Sequence, residues 1–270
     1  MKKTNLILFP FLFCFFSCAS EDLNRSNGLL NVFIIGSPGE FDEIWLEILG
    51  AEVRTTGGRG TDNTIPVFLP NTQTNKRVNV AALTANSQFL VGRGEFSEGN
   101  ILEIKLLLGD DNFVIVGNQR IPLLLDSEQA KEPILLVNYT IRGGISHDIF
   151  LDFDAFSSFR ISSGLEPQIA LEPEIRPFLS LNKGRASGTI SPANQRVAIF
   201  TVDENDILWS TTSSQAPTGN FSLRGLEAGK LYRAFIIPFN QAYLPVTLDS
   251  VRVNVIQNSQ LGSINLRLRD

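Results

Sequence analysis

Ile149-Phe150-Leu151-Asp152-Phe153-Asp154-Ala155 is the stretch from which the fold is read. In an extended chain successive side chains fall on opposite faces, so Leu151 and Phe153 point one way and Asp152 and Asp154 the other. Phe150, Leu151 and Phe153 mark the segment as a well-buried strand. The same period of two recurs outward from it in short apolar runs. These include Leu30, Val32 and Ile34; Ile44, Leu46 and Ile48; Ile101 and Ile104 into Leu106-Leu107-Leu108; and Val114-Ile115-Val116. Further along come Val197 and Ile199; Ala234 and Ile236; Val251, Val253 and Val255; and Ile264, Leu266 and Leu268. Turn chemistry separates the runs: Ser37-Pro38-Gly39, Gly57-Gly58-Arg59-Gly60, Gly109-Asp110-Asp111-Asn112, Arg142-Gly143-Gly144 and Thr218-Gly219-Asn220. Many short strands spaced by such turns predict an all-β fold built of sandwiches. Helical periodicity is confined to Asn79–Asn86 and Asp126–Lys131, a turn or two each.

Pro167, Pro173 and Pro177, followed by Asn182-Lys183-Gly184, punctuate the chain about two thirds of the way along. A boundary is expected near residues 178–184, with one β-sandwich over 29–180 and a second over 184–270, in series. Composition removes several function classes. One His and two Cys among 270 residues cannot supply a His-based metal site, a zinc finger or a disulfide framework. The net charge of −5 gives no electrostatic footprint for nucleic acid. No cofactor is expected.

The N-terminus reads as a secretory signal over residues 1–17. Lys2 and Lys3 form its basic region, and Leu6–Phe16 is an uninterrupted apolar run of 11 residues, too short to span a bilayer. The run ends in Phe15-Phe16-Ser17-Cys18-Ala19, which resembles the lipobox of bacterial lipoproteins. That resemblance implies cleavage before Cys18, lipidation of Cys18 and a tether over 18–28. Cys14 lies inside the signal, so the mature chain keeps a single thiol, and acylation gives that thiol a role. An ordinary cleaved signal with Cys18 as a chance residue is the alternative. Glu21 and Asp22 are similar to the acidic export signal of surface lipoproteins in Bacteroidetes-type bacteria; a solvated leash is the plainer reading. The mature chain carries 21 basic and 28 acidic residues, a balance of −7. Such a body on a lipid leash should stand off an anionic surface. The expected location is the cell envelope, as an outer-membrane lipoprotein exposed at the cell surface.

Leu29–Phe178 resembles the domain-of-unknown-function family 4382 of bacterial secreted and lipoprotein chains. The residues that carry this are Ser37-Pro38-Gly39-Glu40-Phe41-Asp42, Ile44–Arg54, Gly99–Leu108 and Ile149–Ala155. Leu171-Glu172-Pro173-Glu174-Ile175-Arg176 is similar to the family's closing strand. Residues 184–270 resemble the transthyretin-like sandwiches grouped as carboxypeptidase regulatory-like domains. Ala186–Ile190, Arg196–Phe200, Thr218–Leu226 and Gly229–Tyr232 carry that likeness. It implies an accessory module, with Phe221, Leu223, Leu226 and Tyr232 in its core.

The candidate chemistry is thin. Asp152 and Asp154 are spaced to share a face and could hold a hard cation such as Ca²⁺ or act as an acid/base pair, but Asp near a strand end equally caps turns. Asp110-Asp111-Asn112 offers oxygen ligands without the spacing or closing Glu of a calcium loop, so a hairpin turn is expected. His147 is flanked by Ser146 and Asp148, whose side chains diverge and cannot build a nucleophilic triad. Trp45 and Trp209 are either core residues or sugar platforms. The chain therefore reads as a non-enzymatic envelope lipoprotein with a binding or structural role. Its expected partners are the membrane, through the lipid anchor, and a protein or glycan at the surface. Three rivals remain: a glycan- or polymer-binding protein, which needs exposed aromatic rings; a fimbrial or adhesin-type subunit, which needs an unpaired edge groove in the first domain; and, least supported, a carboxylate-only glycoside hydrolase.

Overall fold

The strand Ser146–Phe153 runs parallel to Asn27–Ile35 on one side and antiparallel to Ile175–Leu179 on the other, and Asn27–Ile35 pairs in turn with Phe89–Ser97. This four-stranded sheet faces a nine-stranded one in a computed structural model that describes residues 27–37, 39–57, 66–163, 168–181, 183–255 and 257–270. The signal segment, Cys18, most of the tether, Pro38, Gly58-Arg59-Gly60, Pro167 and Asn182 lie outside the described residues.

The hub of the larger sheet is Glu43–Gly57, which pairs with Val67–Pro70, Arg77–Asn79, Gly99–Leu108 and Phe113–Val116. Its apolar residues change parity, from Ile44, Leu46 and Ile48 to Ala51 and Val53, yet all five are fully buried. A register shift between Ile48 and Gly50 accounts for this, because one extra residue in a strand moves the following side chains back to the core face. Beyond Phe113–Val116 the sheet continues through Gln119–Leu124 and Ile169–Leu171 to Phe159–Ile161. Leu30, Val32, Ile34, Ile149, Leu151 and Phe153 face this sheet, and each such burial contributes about 1.5–3 kcal/mol.

The second sandwich opens at Lys183–Ser191, which lies between Asn220–Glu227 and Asn258–Asn265. Its other sheet runs Leu208–Ser213, Val197–Val202, Leu231–Pro238, Val246–Arg252. Ile190, Ile199, Phe221, Leu223, Leu226, Tyr232 and Ile236 fill the separate core between them. The Tyr232 hydroxyl, buried with the ring, accepts the Glu227 backbone N–H at 2.8 Å. The architecture is all-β, as the period-two pattern predicts.

Both short helical turns expected from sequence are present, whereas several strand expectations are corrected. Asn79–Asn86 holds a single 3-10 turn, Val80–Ala82, with no side-chain cap. The turn at Glu128–Lys131 is helical because Ser127 accepts the Ala130 N–H. Val253, Val255, Leu266 and Leu268 fall outside the strands. The segment expected as one closing strand is two: Ile169–Leu171 belongs to the large sheet and Ile175–Leu179 to the small one, with Pro173 in the crossing between them. Among the described residues, Ile134–Ile141 pairs on one edge only and exposes Leu136. A cleft of about 500 Å³ opens between its start and Glu172–Ile175.

No helix among the described residues is long and apolar enough to cross a membrane; this does not bear on spanning by strands.

Candidate functional site

Strand Ser146–Phe153 is buried on both faces. Leu151 and Phe153 enter the first core, whereas Phe150 and Asp152 lie under the second sandwich. Phe33, Phe150 and Phe178, from three adjacent strands, stack across this outer face with ring centroids 5.3 and 5.2 Å apart. Antiparallel register sets Arg176 directly against Asp152. Its guanidinium donates to Asp154 Oδ2 at 2.8 Å, to Asp152 Oδ2 at 3.2 Å and to Thr211 Oγ1 at 2.7 Å. Thr211 stands on Leu208–Ser213, so one side chain of the first sandwich joins both carboxylates to the second.

Asp152 and Asp154 are each 2% exposed. Two buried carboxylates therefore share one cation, Arg176, whose own side chain is 27% exposed. Burial pushes the Asp152 carboxyl up to about 6, against the pull of Arg176, and the Asp154 charge adds to the rise. Burial alone would weaken the Arg176 charge, but the two carboxylates more than offset it and hold the guanidinium above its ordinary value. Asp152 Oδ1 and Arg176 Nε have no hydrogen-bond partner. Asp154 is better satisfied: it also accepts the Phe156 N–H at 3.0 Å and the Ser157 hydroxyl at 3.2 Å, closing the turn after the strand.

The cation reading of these residues now meets a concrete competitor, since Arg176 already supplies the positive charge. Among the described residues no three His, Cys, Asp or Glu side chains gather as metal ligands. Millimolar calcium is expected to move the melting temperature of the chain by no more than about a degree, because a ligand stabilises only by binding the folded state. A rise of several degrees would show that a cation competes with Arg176.

The other sequence candidates are used locally. His147 is buried, and its Nε2 accepts the Arg142 N–H at 3.0 Å, closing the Arg142–Gly144 turn. Ser146 and Asp148 both accept from the Asn31 amide, at 3.0 and 2.7 Å, rather than meeting the imidazole. Asp111 pairs with Arg77 and Arg120, while Asn112 accepts the Glu47 N–H at 2.9 Å. Trp45 stacks on Phe113. Trp209 donates to Asp203 at 2.9 Å, with Lys230 4.2 Å above its ring. Both indoles are half-buried, so neither is the fully buried core Trp nor the open platform considered from sequence.

Further contacts join the sandwiches. Arg224 donates to the Ala85 carbonyl at 2.6 Å, Arg196 to the Phe41 carbonyl at 3.2 Å, and Phe156 packs on Phe200 at 5.0 Å. Gly225 has a φ of +75°, and a Cβ there would sit 2.9 Å from the Phe178 ring, so this close approach requires glycine.

The sequence model of the family described as Domain of unknown function (DUF4382) matches residues 27–173, more than half of the chain. The chain belongs to this family. The DUF4382 segment contains Asp152 and Asp154, whereas Arg176 and Thr211, their partners, lie beyond its end. The strand Ile175–Leu179 also lies beyond it, although it completes the small sheet. No curated protein matches the chain. Among solved structures, the Bacillus anthracis TIE protein is 10% identical with a TM-score of 0.24. The alignment covers 90% of this chain but only 34% of that one, so the chain spans about a third of its length. A candidate adhesin from Bacteroides ovatus is 10% identical over 93% of this chain and 91% of its own, with a TM-score of 0.25. The major pilin of Streptococcus pyogenes is 7% identical over 91% and 100%, with a TM-score of 0.17. Likenesses this slight carry no argument about fold or function.

Sequence reasoning missed Arg176, which looked like one residue of a closing strand. Its visible signal was a lone Arg in an apolar segment just beyond the end of the DUF4382 match; the pairing depends on register between residues 22 and 24 positions apart.

Proposed function

We propose that this chain is a non-enzymatic lipoprotein of the cell envelope, anchored through acyl chains on Cys18, with a binding or structural role at the cell surface. The observation that carries this reading is the Asp152–Arg176–Asp154 cluster. The two acids best placed for chemistry are closed to solvent and tie one sandwich to the other through Thr211. A pair of sandwiches fixed in this way suits a stiff body that presents a surface. We read residues 184–270 as a carboxypeptidase regulatory-like, transthyretin-like module, a reading supported by the burial of Phe221, Leu223, Leu226 and Tyr232. The anchor rests on the lipobox-like Ser17-Cys18 and on Cys18 being the single thiol left in the mature chain. Each buried CH₂ of an acyl chain contributes about 0.8 kcal/mol, and two or more chains hold stably.

Substituting Cys18→Ser is the test. In cells fed an alkyne fatty acid, the variant is expected to lose all label and to leave the membrane fraction. Unchanged retention in the membrane would refute the anchor.

A further inference from the structure

Beside the Phe33–Phe150–Phe178 stack the sandwiches leave a cleft of about 320 Å³, within the size range of small-ligand sites. Its walls come from both halves of the chain. The first sandwich contributes Asp148, Phe150 and Phe178, and the second contributes Lys183, Arg185 and Arg224. Phe178 is half-exposed, so a phenyl ring is available in the cleft.

The charges in this cleft do not balance internally. Lys183 is paired with Glu227 at 2.8 Å. Arg224 donates to the carbonyls of Ala85 and Ser87 and to Gln88 Oε1, and Arg185 reaches Asn86 Oδ1 at 3.3 Å. Neither guanidinium has a carboxylate at ion-pair distance among the described residues. Burial and the nearby charge of Arg185 bring Arg224 down to about 10. A half-buried Arg224 with an exposed Arg185 lining the same cleft favours an anion against them. Asp148 is the one acid that lines the cleft, and it already accepts from Asn31.

We propose that this cleft binds a saccharide carrying a single carboxylate, of the uronic acid class. Arg224 spends most of its donors on Ala85, Ser87 and Gln88. The free donors of Arg185 are therefore the ones that match a carboxylate, to which arginine donates two parallel hydrogen bonds, with the Arg224 charge adding to the attraction. The half-exposed part of the Phe178 ring offers an apolar surface to a sugar, while Phe150 is buried in the stack, and the amides of Asn86, Gln88 and Gln257 can donate to and accept from hydroxyls. Asp148 accepts from a hydroxyl but repels a second negative charge, which disfavours phosphates and polyanions. The proposal goes beyond the envelope-lipoprotein reading and does not depend on the anchor, because every residue involved lies in the two sandwiches.

The test uses the full chain in detergent micelles, titrated calorimetrically with cellobiouronic acid, cellobiose and inorganic phosphate. Cellobiouronic acid is expected to bind at least about tenfold more tightly than cellobiose, the effect of charge-assisted hydrogen bonds, and phosphate is expected not to bind. Arg185→Gln removes one exposed side chain whose single hydrogen bond is long, so the fold is retained; it should bring the acid down to the affinity of cellobiose. Phe178→Leu should weaken both sugars. Equal affinity for acid and neutral sugar, binding of phosphate as tight as that of the acid, no binding of the acid, or an Arg185→Gln variant that still prefers the acid would each overturn the proposal.

Discussion

Replacing Arg176 with methionine is expected to lower the unfolding free energy at pH 7.5 by about 3–5 kcal/mol, the cost of removing one partner from a buried ion cluster. Methionine fills the aliphatic volume but leaves Asp152 and Asp154, each 2% exposed, without a cation. The hydrogen bond to Thr211 is lost as well, so the sandwiches lose their central polar contact. The loss should shrink at pH 5, where the stranded carboxyls take up protons. Adding Asp152→Asn and Asp154→Asn to the methionine variant should recover most of it, because neutral amides no longer need a counter-charge. Urea unfolding of the single and triple variants at the two pH values checks this. Equal stability of the Arg176 variant and the parent at pH 7.5 would mean that the cluster does not hold the structure together.

The second large effect separates the two acids. Asp154→Ala is expected to cost about 3 kcal/mol or more, since it removes a charged acceptor from the Phe156 N–H, the Ser157 hydroxyl and Arg176 together. Asp152→Asn should raise stability at pH 7, by up to about 2–3 kcal/mol. It removes the surplus negative charge while Asp154 keeps Arg176 paired, and Asp152 leaves one oxygen unpartnered in any case. The pH dependence follows from the same asymmetry. The folded Asp152 carboxyl titrates near 6, above the ordinary carboxylate range near 3.9, so the folded state binds the proton more tightly than the unfolded chain. Its stabilising contribution is fully present below about pH 4 and is lost as pH rises through 6, amounting to about 3 kcal/mol. Urea midpoints measured from pH 4 to 7.5 should therefore fall less steeply in Asp152→Asn than in the parent. Parallel curves would show that Asp152 carries no such shift.

Both predictions rest on residues that the sequence displays without showing what they do. The alternation in Ile149–Phe153 was enough to place Leu151 and Phe153 in a core, because a strand with one apolar face has only one way to bury it. It also put Asp152 on the opposite face. A strand read alone implies that such a face meets water, and the sequence reading accordingly offered Asp152 and Asp154 to a cation or a turn. In the folded chain a second sandwich covers that face, and a strand from beyond the DUF4382 match brings Arg176 into register with it. The split of the expected closing strand around Pro173 has the same origin, since apolar pattern cannot say to which of two sheets a segment pairs. The parity change in Glu43–Gly57 is a milder case: the apolar residues were legible, but the register shift that keeps them inward needs the partner strand.

The sequence by itself determined the all-β class, the membership of residues 27–173 in the DUF4382 family and the core residues of both sandwiches. These follow from local alternation, turn chemistry and motif order, which neighbouring residues settle among themselves. Only the tertiary structure decided that Asp152 and Asp154 meet Arg176 and Thr211, and that Arg185 and Arg224 line a cleft with Phe150 and Phe178. Those pairings join residues far apart in the chain, and their strength depends on water being excluded when one sandwich packs against the other.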